Sequence, residues 1–88
     1  MSDSTSTTRR KETPVMASRI AARRNGLYIE TSDGTFLIPW RECSTRLAAA
    51  KPSERLHIEI SPMGIGVHWP LLDEDLAVGP LVKGRIPA

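Results

Sequence analysis

Apolar and polar residues alternate from Ser18 onward, and the alternation predicts three short strands in succession. Ser18, Ile20 and Ala22 fall on one face of the first strand, opposite Arg19, Ala21 and Arg23. Leu27, Ile29 and Thr31 alternate with Tyr28 and Glu30 on the second. Phe36 and Ile38 mark the third, which Pro39 stops. Arg24-Asn25-Gly26 and Ser32-Asp33-Gly34 separate the strands as turns, and Asp-Gly suits a type I′ hairpin, whose central residues need positive φ. The three strands should form an antiparallel meander.

Between Trp40 and Ala50 the period lengthens. Trp40, Cys43, Leu47 and Ala50 recur at helical spacing, while Arg41, Glu42, Thr45, Arg46 and Ala49 face away. Lys51-Pro52 ends that helix, because the residue before a proline avoids αR geometry. Alternation returns with Leu56, Ile58 and Ile60 on one face, and a turn follows at Ser61-Pro62-Met63-Gly64. Ile65, Val67 and Trp69 then point inward on a fifth strand and His68 outward, with Gly66 marking a bulge or a close backbone approach. Pro70 breaks the ladder, and Asp73 is the expected cap of a last helical segment that ends at Gly84. The order is β-β-β-α-β-β-α. This is an α+β domain with a small, mainly antiparallel sheet covered by one main helix. Its expected bounds are residues 17–84, between a basic Ser/Thr-rich disordered tail over 1–16 and a short C-terminal tail over 85–88.

Length and composition narrow the field. Eighty-eight residues hold one small domain with a thin core. Hydrophobic and charged contents of 40% and 25% are those of an ordinary globular protein. From Ala17 onward nine Lys/Arg face eight Asp/Glu, a balance too even for a dedicated nucleic-acid binder. The lone Cys43 excludes an internal disulfide and a cysteine-based zinc cluster. No apolar run is long enough to span a bilayer and no secretory signal opens the chain, so the expected location is cytoplasmic, with no membrane partner.

Four segments together resemble the bacterial and phage-associated family known as domain of unknown function number 2442. They are Leu27 through Gly34, Ile38-Pro39 leading into Trp40, Thr45-Arg46-Leu47, and Gly66-Val67-His68-Trp69-Pro70 followed by Leu72-Asp73-Glu74-Asp75. Leu81-Val82-Lys83-Gly84 is similar to the family's ending, so the resemblance covers about Ala17 to Gly84. The chain departs from the family pattern at Thr35, where arginine is usual, and at Thr45, where proline is usual. The resemblance implies a small α+β domain without an assigned activity. It also implies a stand-alone protein encoded beside another small protein, or a unit joined to a helix-turn-helix.

Candidate chemistry is sparse. His68, Asp73, Glu74 and Asp75 offer metal-ligating atoms within eight residues, but neighbours on a strand or turn diverge, and three carboxylates at a helix start complement its dipole. Cys43 falls on the buried helical stripe, with neither His57 nor His68 beside it. Gly64-x-Gly66 lacks the third glycine and helix start of a phosphate loop. Arg19 and Arg23 make only a small basic patch with Tyr28, and Trp40 and Trp69 read first as core residues. No catalytic, cofactor-binding or metal-binding residue is assigned, and no cofactor is expected. The expected role is a non-catalytic interaction module that binds and regulates a protein partner encoded nearby, antitoxin-like or regulatory. The alternative is a DNA-associated regulator acting with a helix-turn-helix partner. Candidate partner-binding residues are Arg41, Arg46, His68, Trp69, Asp73, Glu74 and Asp75. A sheet edge is a second surface, for a partner strand or for self-association.

Overall fold

The computed structural model describes residues 15–88 and is an α+β fold of two three-stranded antiparallel sheets and short helices. The first sheet is the expected meander, β1 (Ala17–Arg23), β2 (Gly26–Thr31) and β3 (Gly34–Ile38), in the order β1-β2-β3. Its register places Ile20, Ile29 and Phe36 in one cross-strand row and Ala22, Leu27 and Ile38 in the next. These rows form the inner face, and every member except Ala22 is buried. Ser18 sits at a register shift between Ala17 and Arg19, so the strict alternation expected of β1 begins only after it.

The second hairpin turns on Ser32-Asp33, with Thr31 paired to Gly34. Neither turn residue has positive φ, so this is not the expected type I′ turn. The Thr31 hydroxyl accepts from the Asp33 N–H (3.1 Å), and this local bond favours a different turn geometry.

The expected helix over Trp40–Ala50 is divided. Helix α1 (Trp40–Cys43) stops at Ser44, which is fully extended at φ −167° and ψ 160°, and α2 (Thr45–Ala49) begins beyond it. The Ser44 hydroxyl accepts from the Leu47 N–H at 3.1 Å, so one residue ends the first helix and caps the second. A third turn, α3 (Pro52–Arg55), lies just before the strand that alternation suggests over Leu56–Ile60, and Leu56 is its C-cap in αR geometry. Pro52 suits a first helical position, and the Glu54 carboxylate accepts from the Lys51 N–H at 2.9 Å. The fourth strand shrinks accordingly to β4 (Glu59–Ile60), leaving Leu56 and Ile60 exposed.

The second sheet, in the order β4-β5-β6, contains β5 (Gly66–Trp69) and an unexpected strand, β6 (Glu74–Ala77). The Leu72-Asp73-Glu74-Asp75 stretch therefore enters a strand, and Asp73 caps no helix. It lies in the β5–β6 turn at φ 52°, a left-handed conformation that aspartate tolerates better than most residues. The last helix, α4 (Val78–Val82), starts after Ala77 with no side-chain cap, and Gly84 follows it at φ 76°. Ile65 is exposed, contrary to its expected inward position, because it ends the 3-10 turn Pro62–Gly64 just before β5. Gly66 pairs with Ala77 without a register shift. A Cβ there would meet the Ser61 hydroxyl at 3.1 Å and the Leu76 carbonyl at 3.3 Å, and the second of these is the close backbone approach anticipated at this glycine.

Both sheets share one core. Val67 and Trp69 from β5 join the inner face of the first sheet, with Trp40, Cys43 and Leu47 from the helices and Val78 and Leu81 from α4. Trp40 and Trp69 meet edge to face, with ring centroids 6.2 Å apart. Their indole N–H groups donate to the carbonyls of Arg23 (2.9 Å) and Arg55 (3.0 Å), so neither buried donor is left unpaired. The expected tail over 85–88 is held at both ends: Arg85 Nη1 donates to Glu42 Oε1 (2.7 Å), and the Ala88 N–H donates to the Thr35 carbonyl (2.7 Å). At the other terminus Val15 packs against the core, and the rest of the expected N-terminal tail lies outside the described residues.

Candidate functional site

The seven candidate partner-binding residues do not form one cluster. Trp69 is fully buried and serves the core, which removes it from any surface contact. Arg41 is highly exposed on α1 and only loosely paired with Glu42, at 3.9 Å. The three consecutive acids are separated by strand geometry. Glu74, opposite Trp69, points to the inner side and faces Arg46 Nε at 3.8 Å. Arg46 Nη1 also donates to the Leu72 carbonyl (2.8 Å) and to that of Asp73 (3.4 Å), so this arginine clasps the β5–β6 turn to α2.

Asp75 projects to the opposite face, where its carboxylate meets His68 Nδ1 at 2.7 Å. His68 stands between Glu59 of β4 and Asp75 of β6 in one cross-strand row. Among the described residues no three His, Cys, Asp or Glu side chains converge in a metal-binding arrangement. His68 and Asp75 lie on one face of the second sheet and Glu74 on the other.

On the outer face of the first sheet Arg23 stacks over Tyr28, its guanidinium carbon 3.9 Å from the ring centroid. The Tyr28 hydroxyl bonds the Glu30 carboxylate, and that bond, with some burial, raises the phenol above its usual range. Cys43 is buried, its thiol aimed at the Ile38 carbonyl, and burial pushes its pKa up to about 11. A thiol so protonated is a poor nucleophile at neutral pH.

Two features escape a reading by pattern. The first is Met63, exposed at 74% yet held at φ 66° in the 3-10 turn. The Ser-Pro-Met-Gly composition signals a turn there but not which residue takes the left-handed position. The neighbouring Gly64, at φ 67°, has its α-carbon so close to the Ala17 carbonyl that a Cβ would overlap it. The second is Arg55. Its Nε and Nη2 donate to the Leu47 and Ala48 carbonyls, both at 2.8 Å, and this fixes its guanidinium beside Trp40.

A family model described as "Protein of unknown function (DUF2442)" matches residues 18–87. No curated protein matches the chain. A crystal structure of a protein of unknown function from Rhodospirillum rubrum ATCC 11170 is similar, with 27% identity and a TM-score of 0.67. The similarity covers 84% of this chain and 92% of that one.

Proposed function

The chain belongs to the DUF2442 family, and from that premise we propose that it is a non-catalytic interaction module that binds and regulates a protein partner. The observation that carries this reading is Met63. A non-glycine residue in the left-handed region costs free energy, and an exposed methionine recovers none by burial. Ile60 and Ile65 are exposed beside it in sequence, and five of the eight large exposed apolar residues among those described lie between Leu56 and Leu71. A small protein that presents apolar side chains on one hairpin has the makings of a contact surface.

Other features favour binding over catalysis. Cys43 is buried and protonated, and Glu74 and His68 are engaged with Arg46 and Asp75 on two different faces. The alternative, a DNA-associated regulator, would need a helix-turn-helix partner, because no α-helix among the described residues exceeds five residues. No helix among them is long and apolar enough to cross a membrane. We place the module in the cytoplasm, with a protein encoded beside it, in an antitoxin-like or regulatory pairing, as the first partner to test.

The test uses Met63→Asn, which keeps a residue tolerant of positive φ and removes the apolar side chain. This variant is expected to melt no lower than the wild type. In co-expression with the neighbouring gene product, it should lose co-elution that the wild type retains. Equal co-elution of both proteins would remove Met63 from the contact, and failure of the wild type to co-elute would count against the module itself.

A further inference from the structure

Arg23, Arg24 and Arg55 ring a depression of about 290 Å³ floored by Trp40, Pro52 and Leu56. The ion pairs among the described residues involve Arg41, Arg46, His68 and Arg85, so none of the three rim arginines has a carboxylate partner there. Two of them are nevertheless held in place. Arg55 is anchored by its bonds to the Leu47 and Ala48 carbonyls, and Arg23 lies on Tyr28. The Arg23 carbonyl accepts from the Trp40 indole, which ties the rim to the floor. Arg24 projects from the β1–β2 turn and is exposed.

We propose that this depression is a docking pocket for an acidic segment of a partner protein, taking one aliphatic or aromatic side chain on its floor and the flanking carboxylates on its rim. Charge complementarity selects the occupant. Weakly hydrated, planar guanidinium groups pair readily with carboxylates, and two of these are already ordered, which lowers the entropy lost on binding. The volume is at the bottom of the range for small-molecule sites, the size of one anchoring side chain. Tryptophan and arginine together are the usual composition of such an anchor point. A nucleic-acid duplex fits less well: it calls for an extended basic stripe, whereas the net charge here is only +2 and Glu59, Asp73 and Asp75 are also exposed.

The test measures fluorescence anisotropy of a labelled Glu-Asp-Leu-Glu-Asp peptide with the full chain at low salt. Two control peptides replace the four acids by their amides, or the leucine by serine. The protein variant is Arg23→Gln/Arg24→Gln, which spares Arg55 because that residue also caps backbone carbonyls. Binding is expected to the acidic peptide, weakened about tenfold or more by the double substitution and by either peptide change. Circular dichroism confirms that the variant is folded. No binding of the acidic peptide overturns the proposal. So does equal binding of the amide peptide, equal binding by the variant, or tighter binding of a labelled DNA duplex through the same arginines.

The pocket rests on the interaction-module reading, and the two fail separately. If the neighbouring gene product co-elutes equally with the wild type and the double variant, the module stands and the pocket falls. If the neighbour does not co-elute with the wild type and the acidic peptide is not bound, both fall.

Discussion

At the scale of single residues, the acidic stretch shows how one extra strand redistributes roles. A helix start would make Asp73 the structural acid and Glu74 the dispensable one. In β6 the order reverses. Glu74 faces Arg46 with its side chain largely covered, whereas Asp73 bonds the turn only through its backbone carbonyl. Glu74→Ala should therefore cost about 1 kcal/mol, the scale of a partly screened charge-assisted contact. Asp73→Gly should be neutral or slightly stabilising, because glycine takes φ 52° without strain. Asp73→Val should cost about 1–2 kcal/mol. Urea melts of the three variants check the ranking, and a larger loss for Asp73→Gly than for Glu74→Ala would refute it.

At the scale of elements, legibility followed periodicity. The meander was readable because its inner face alternates without interruption from Ile20 to Ile38, and two turn signals fix the strand ends. The break at Ser44 was not, since Trp40, Cys43 and Leu47 keep helical spacing across it and all three are buried. Yet the family pattern held a clue. Its usual proline falls at Thr45, the first residue of α2, where a missing N–H costs nothing. A proline there also forces the preceding residue out of helical geometry, and Ser44 is already extended. Thr45→Pro should therefore stabilise the fold by about 0.4–1 kcal/mol by restricting the unfolded chain. In a continuous helix over Trp40–Ala50 the same change would cost about 3 kcal/mol or more. A thermal melt separates the two outcomes by sign. The second sheet was the harder half. The alternation of Val67, His68 and Trp69 marks β5, but β4 has two residues and β6 four, too few to set a period of their own.

At the scale of the whole molecule, a thin core makes the tie between chain end and helix layer matter. Arg85 reaches back to Glu42 across 43 positions, and Ala88 bonds the third strand, so α4 and the last residues are fastened to both α1 and β3. The Arg85 hydrogen bond, aided by the charges of Arg85 and Arg41, holds the Glu42 carboxyl below the usual carboxylate range. A carboxyl depressed on folding contributes stability above its unfolded pKa, and that contribution is lost as pH falls through the folded value. The tie should thus be at full strength at pH 6 and weaken as the pH drops below about 4.5. Glu42→Gln keeps the shape of the side chain but removes the charge. The wild type should melt above this variant at pH 6, and the gap should close on acidification toward pH 3. A gap that stays constant from pH 6 to pH 3 would show that Glu42 acts through packing alone and that the ion pair with Arg85 does not hold the C-terminal residues in place.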